Sequence, residues 1–105
     1  MQNSSYHIRQ LLDELEPPDT GKKSLVVIDN ENAKVVLFAF AADAGLAEHV
    51  APFPAIIQVL QGEAQLTVGD EEIFGGAGTW IQMAVKTPHS IMAKTPLTML
   101  LTLLQ

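Results

Sequence analysis

Histidines are the residues of this chain with the clearest potential for chemistry, and there are three of them. An unperturbed imidazole titrates at about pH 6.5, so each histidine could serve as a general base or a metal ligand. His7 falls in an N-terminal stretch with a helical pattern and is predicted to lie on the surface, which leaves His49 and His89. The chain has no cysteine, which excludes disulfides, zinc–thiolate sites and cysteine nucleophiles. Nothing in the sequence names another nucleophile or an oxyanion stabiliser.

The two remaining histidines lie within two spaced patterns. The first starts at His49-Val50-Ala51-Pro52, continues to Ala55 and ends at Gly62, and the second runs from Gly78 to His89. Together they resemble the two conserved motifs of the cupin superfamily. The first motif reads His-x-His, three or four residues, Glu, six residues and Gly. The second reads Gly, five residues, Pro-x-Gly, two residues and His.

The resemblance implies an all-β fold, an antiparallel jelly-roll barrel also called a double-stranded β-helix. It covers roughly residues 35–104 and is most specific in the segment VLQGEAQLTVGD. In that geometry His49 and Ala51 point inward, Ala55 lies on the next strand, and His89 approaches from the far side of a pocket. The pocket residues that we predict from it are His49, Ala51, Ala55, Ile57, Met83, His89 and Ile91.

The departures from the motifs concern the metal. A metal-binding cupin uses two histidines and a glutamate of the first motif and the histidine of the second. Ala51 stands at the second histidine position and Ala55 at the glutamate position, so His49 and His89 alone remain as candidate metal ligands. The proline and glycine of the second motif are replaced by Ala84 and Lys86, and we expect that turn to differ in shape.

These residues leave several functions open. The leading hypothesis is a small-molecule-binding protein without a tightly held metal, because alanine supplies no donor and the negative charge that offsets a dication is missing. The alternative is a degenerate metallo-cupin enzyme of the oxygenase or isomerase type, with a weakly bound divalent transition metal on His49 and His89. A metal-free catalytic histidine is a third. A fourth is that both histidines only form hydrogen bonds with each other, water or backbone. The ligand itself is unknown.

The elements follow from hydrophobic periodicity. Ile8, Leu11, Leu12 and Leu15 form one helical stripe, capped by Ser4 or Ser5 and ended by two prolines. Strict alternation in EAQLTV and short apolar runs elsewhere indicate strands. We predict strands over residues 24–28, 34–41, 55–60, 63–68, 71–74, 79–83, 89–93 and 98–104. The predicted organisation is an N-terminal helix and linker in residues 1–23 and a barrel domain in residues 24–105.

The composition limits the kinds of partner that we expect this protein to bind. The net charge is −6, from 12 acidic and 6 basic residues, and such a surface repels phosphate backbones, so we expect no nucleic acid partner. No stretch reads as a signal peptide or a membrane span, and we expect a soluble, cytoplasmic protein. Apolar residues occupy both sides of the strand LTMLLTLL at residues 97–104. Because a two-sided apolar strand must be covered on both faces, we predict a symmetric homodimer.

Overall fold

The computed structural model describes residues 5–105, so Ser4, one of the two predicted helix caps, lies outside the described residues. The elements, in chain order, are helix α1 (Leu11–Glu14) and strands β1 (Lys22–Asp29), β2 (Ala33–Phe40), β3 (Gly45–His49), β4 (Ala55–Gln61), β5 (Ala64–Val68), β6 (Glu71–Gly75), β7 (Trp80–Met83), β8 (His89–Ala93) and β9 (Leu97–Leu104). No helix in residues 5–105 has the length and apolarity that crossing a bilayer requires.

The strands form two sheets that face each other. Sheet 1 has the order β1-β2-β9-β4-β7, and sheet 2 has the order β3-β8-β5-β6. Every strand pair in both sheets is antiparallel. The predicted all-β antiparallel architecture is therefore confirmed.

Alternation along each strand decides which side chains lie between the sheets. In β4, Ala55, Ile57 and Val59 are buried, whereas Ile56 and Gln58 on the opposite face are half-buried. Residues paired on neighbouring strands point to the same face of their sheet, so each sheet has one buried inner face. The two inner faces together form the core. The buried core cluster consists of Phe40, Ala55, Ile57, Val59, Ala64, Leu66, Met83, Ile91, Ala93, Leu97 and Met99. Each large apolar side chain in it stabilises the fold by about 1.5–3 kcal/mol relative to an exposed position.

Strands β2 and β9 are buried on both faces. Leu97 and Met99 face the core, while Leu37 and Thr98 face outward and are still only 0% and 1% exposed. The N-terminal segment runs across this outer face. The Arg9 guanidinium donates a hydrogen bond to the Val27 carbonyl, and residues 11–17 lie against the end of β4. The N-terminal segment therefore covers part of the outer apolar face of these two strands.

The N-terminal helix is shorter than predicted. It is a single turn, and Gln10 before it is extended, with φ −103° and ψ 90°, and makes no side-chain cap hydrogen bond. Ile8, the first residue of the predicted stripe, is 78% exposed. A helix this short has no stability of its own in water, so contacts with the sheet decide its conformation. An ion pair between Arg9 and Glu14 spans the turn.

Strand β3 does not appear in the sequence pattern. Its residues GLAEH do not alternate, and three of the five are exposed. Its start lies very close to β8, since a Cβ placed on Gly45 would lie 1.9 Å from the Ile91 carbonyl oxygen. The glycine therefore permits the backbone approach that pairs β3 with β8.

Candidate functional site

The pairing of β3 with β8 brings the two candidate histidines into contact. His49 and His89 occupy directly opposite positions of this antiparallel pair. Their ring centroids lie 4.2 Å apart and the ring planes are tilted by 56°. The prediction that both belong to one site agrees with this geometry. The prediction that His89 approaches from the far side is wrong, because the two residues lie on neighbouring strands of sheet 2.

A β-bulge turns His49 toward the interior. Leu46 pairs with Ile91 and His49 pairs with His89, so three steps along β3 match two steps along β8. In a regular strand, residues 46 and 49 would face opposite sides of the sheet. The extra residue lets Leu46 pack against the core while His49 also stays on the inner face. The motif spacing contains no sign of this bulge.

Backbone carbonyls orient both rings in the same way. His49 Nδ1 lies 2.7 Å from the Ala47 carbonyl oxygen, and His89 Nδ1 lies 2.9 Å from the Thr87 carbonyl oxygen. A carbonyl oxygen only accepts hydrogen bonds, so each neutral imidazole carries its proton on Nδ1 and leaves Nε2 as an acceptor. His89 Nε2 has no hydrogen-bond partner among the described residues and is not sealed from solvent. The site therefore presents two bare ring nitrogens.

The two imidazoles differ in burial. His49 is exposed, whereas His89 is only 3% exposed. Burial lowers the pKa of His89, the hydrogen bond to the Thr87 carbonyl opposes that shift, and the neighbouring His49 lowers it further. Because its folded-state pKa lies below the unfolded value, the unfolded chain binds the proton more readily. His89 thus contributes stability above about pH 6.5 that is lost on acidification.

The apolar pocket residues that we predict are buried inside the core. Ala55 and Ile57 are 1% exposed, and Met83 and Ile91 are 3% exposed. Side chains of the core cluster pack around them. Ala51, the remaining predicted residue, is half-buried. Of the predicted pocket residues, His49 and Ala51 are therefore the ones that reach the surface.

A hydrogen bond joins the two loops that form the rim of the site. The Lys86 backbone N–H donates to the Ala51 carbonyl oxygen at 3.0 Å. Lys86 has a φ of +64°, in the left-handed region. This is the position at which the second motif has glycine, and left-handed backbone is what glycine adopts readily. The turn therefore keeps a backbone conformation that suits glycine, although its residue is lysine.

Solved structures match the fold of this chain, whereas no protein-family model and no curated protein matches it. An RmlC-like cupin protein from Desulfovibrio desulfuricans is 28% identical and has a TM-score of 0.84, over 94% of this chain and 96% of that chain. A cupin superfamily protein from Desulfitobacterium hafniense is 22% identical and has a TM-score of 0.85, over 98% and 95%. This chain has the fold of a small cupin.

A third similar structure is a conserved protein of unknown function from Streptococcus pyogenes. It is 20% identical to this cupin and has a TM-score of 0.85, over 98% of this chain and 90% of that chain. At such identity the likeness shows the fold. The chemistry of the site must be argued from the residues of this cupin.

The residues present do not fit a tightly held metal. Of the four ligands that the motif resemblance implies, this cupin keeps His49 and His89, while Ala51 and Ala55 carry no donor atom. Glu48 lines a groove on the outer face of sheet 2. Across residues 5–105 no three His, Cys, Asp or Glu side chains gather as a metal site. Divalent transition metals in proteins take three or four ligands as a rule, so two imidazoles are too few.

Two contributors to the site escape motif analysis. They are the carbonyls of Ala47 and Thr87, each two residues before the histidine that it orients. Their role depends on backbone direction, which no side-chain pattern records. Met83, one of the predicted pocket residues, follows Gln82 on β7. Met83 is buried and Gln82 is exposed, so Met83 is the inward residue.

Proposed function

We propose that this chain binds a small, largely apolar monocarboxylate on the Nε2 atoms of His49 and His89, without a tightly held metal. One observation carries the proposal. The two rings are in contact, and each has its Nδ1 tied to a carbonyl, which leaves the Nε2 atom of each ring as a free acceptor. A carboxyl group and one shared proton complement such a pair, because an imidazolium N–H donates strongly to a carboxylate oxygen.

The rim supports a ligand with an apolar body. Val50 directly follows His49, Val85 directly precedes Lys86, and the two valines are 52% and 47% exposed. The Lys86–Ala51 hydrogen bond joins the loops that carry them. Lys86 adds the one cationic side chain of these loops, in a chain of net charge −6. Apolar walls with a few convergent polar groups are typical of small-molecule sites.

The test uses benzoate and hexanoate, with benzamide and hexanamide as neutral analogues of the same shape. We expect at least one carboxylate to raise the melting temperature and its amide to have no effect, because the amide lacks the negative charge. The His49→Gln and His89→Gln variants should abolish the effect, while His7→Gln, which alters a histidine outside the site, should retain it. The proposal would be contradicted if both the His49→Gln and His89→Gln variants still bound the carboxylate. It would also be contradicted if neither benzoate nor hexanoate bound the wild-type protein.

Binding should depend on pH in a defined direction. A bound carboxylate stabilises the charged imidazole, so binding takes up a proton while the free site is neutral. Since burial holds the pKa of His89 low, His89 is neutral in the free site at neutral pH. We expect carboxylate affinity to rise by up to about tenfold for each unit of pH decrease, until the free imidazole itself becomes protonated. Isothermal titration calorimetry in buffers of different ionisation enthalpy measures the uptake, and zero uptake would refute the shared-proton model.

A further inference from the structure

A second cavity, with a volume of about 310 Å³, lies at the end of sheet 2 that is remote from the histidine site. Strand β5 shows the separation, because its last residue, Val68, pairs with His89, whereas its first residue, Ala64, lines the cavity. A strand of this length spans roughly 13 Å. The cavity is called the Gly76 cavity below, and its lining consists of Glu63, Ala64, Phe74, Gly75, Gly76 and Lys94.

Two opposite charges line the Gly76 cavity without pairing with each other. Ala64 pairs with Ala93 in the core, and one step beyond this pair the Lys94 N–H donates a hydrogen bond to the Glu63 carbonyl at 2.9 Å. Because side chains alternate along a strand, Glu63 and Lys94 both point to the outer side of sheet 2. Both are exposed, and neither forms an ion pair with another residue of the described chain, 5–105. A carboxylate and an ammonium group therefore lie side by side, each open to a partner from outside the chain.

The residue at position 76 keeps the cavity open, although the fold does not require a glycine there. The φ of Gly76 is not positive, and a Cβ at this position would meet only the Gly62 carbonyl oxygen, at 3.7 Å, which is an ordinary contact. Gly75 differs, since a Cβ there would lie 2.5 Å from the Thr79 Oγ1. The missing side chain of Gly76 thus leaves free space next to the Phe74 ring, which is 67% exposed.

We propose that the Gly76 cavity binds a free α-amino acid with an apolar side chain. Its ammonium group contacts Glu63, its carboxylate contacts Lys94, and its side chain packs against Phe74. An α-amino acid carries both charged groups on one carbon, and the Cβ atoms of opposite residues on neighbouring strands are only about 5 Å apart. Hydrogen bonds between charged groups are the strong ones, and an aromatic ring offers a large apolar contact. A volume of about 310 Å³ is at the small end of ligand sites, which suits a single amino acid.

The choice of ligand class follows from the two charges together. A monocarboxylate would be attracted by Lys94 and repelled by Glu63, and a simple amine would meet the reverse, so each gains less than a ligand that carries both charges. A zwitterion with widely separated charges reaches only one of the two side chains. The proposal concerns the opposite end of β5 from the histidine pair, and it does not rest on the ligand that we propose for that pair.

Titration of the isotope-labelled protein with L-phenylalanine, followed by amide chemical shifts, tests the proposal. We expect saturable shifts for the amides of Glu63, Gly76 and Lys94. Hydrocinnamate lacks the ammonium group, phenethylamine lacks the carboxylate, and ε-aminocaproate holds its two charges far apart. None of these three compounds should shift the same amides at the concentrations at which L-phenylalanine saturates them.

Charge-removing variants identify the contacts. We expect Glu63→Gln and Lys94→Gln each to weaken L-phenylalanine binding by about fivefold, the upper end for an exposed ion pair. Glu31→Gln and Lys23→Gln are the matched controls, since both residues are exposed and lie outside the cavity lining. Both controls should keep the wild-type affinity. Equal losses in the charge variants and their controls would overturn the proposal.

Filling the cavity gives an independent test. Gly76→Leu should abolish L-phenylalanine binding and remain folded, because the backbone at this position has room for a Cβ. Ala77→Leu is the matched control, since Ala77 is the next residue, is exposed and does not line the cavity, so this variant should bind as the wild type does. Circular dichroism melting confirms that each variant is folded. A folded Gly76→Leu variant that still binds L-phenylalanine, or a wild-type protein whose amides at positions 63, 76 and 94 do not respond to it, would overturn the proposal.

Discussion

Replacing Gly62 with alanine is expected to lower the free energy of unfolding by about 3 kcal/mol or more, a loss that few single substitutions cause. A Cβ at this position would lie 2.1 Å from the Pro96 carbonyl oxygen and 3.0 Å from the Leu97 Cα. Both atoms belong to the backbone, so moving a flexible side chain cannot relieve the clash. Leu97 begins β9 and is fully buried, which holds that backbone in place. The φ of +92° adds a backbone cost for any L-residue. Gly62 is also the last position of the first motif.

Chemical denaturation of Gly62→Ala and Gly78→Ala measures how much of that loss comes from the clash. Gly78 has a φ of +94°, nearly that of Gly62, but a Cβ there would meet nothing within 4 Å. We expect Gly78→Ala to lose only the backbone contribution, about 1–2 kcal/mol. Equal losses in the two variants would show that the approach of the 62–63 turn to the start of β9 does not matter.

Restoring the missing ligands in an Ala51→His/Ala55→Glu double variant is expected to strengthen zinc or nickel binding by about 10³-fold over the wild-type protein. The loss of a group that merely orients a metal ligand costs about 10–100-fold, and two direct ligands are worth more than one such group. The motif resemblance assigns both positions to the same metal site as a histidine pair whose rings already lie 4.2 Å apart. Isothermal titration calorimetry with each metal measures the affinities.

The double variant should also couple metal binding to stability. Ala55 is 1% exposed, so a glutamate there is buried in the core and costs stability while no cation neutralises it. We therefore expect a lower melting temperature than wild type without metal and a large rise when metal is added. Adding His89→Ala to the double variant is the control and should remove the gain. A double variant that binds zinc and nickel no better than wild type would show that the two alanines do not occupy ligand positions.

Most strands could be predicted because their cause is local. Strand β8 occupies residues 89–93 as predicted, and β5 and β9 begin within one residue of the predicted start, since alternation and apolar runs report burial directly. Strand β3 could not be predicted, because its pairing depends on Gly45 approaching β8 and on a bulge, and both are tertiary contacts. The N-terminal helix is shorter than its stripe predicts, because a stripe this short has no helical stability of its own and its Ile8 and Leu12 stay exposed.

The sequence predicted that His49 and His89 lie close together but not how the two rings are arranged. Motif spacing was enough to place His49 and His89 together, because both motifs end up on paired strands. It gave no information on the unequal burial of the two rings or on the carbonyls of Ala47 and Thr87. It also placed the apolar residues around a hollow, whereas Ile57 and Ile91 belong to the packed core.

The protonation pattern of the histidine pair tests the central claim most directly. Long-range proton–nitrogen correlation spectra of the isotope-labelled protein, purified without chelator and recorded at mildly alkaline pH, report which ring nitrogen carries the proton. The geometry predicts Nδ1–H with an unprotonated, unliganded Nε2 for both His49 and His89, and joint movement of both Nε2 signals when benzoate or hexanoate is added. A proton on Nε2 of either ring, or Nε2 signals typical of metal ligation that revert on chelation, would contradict it.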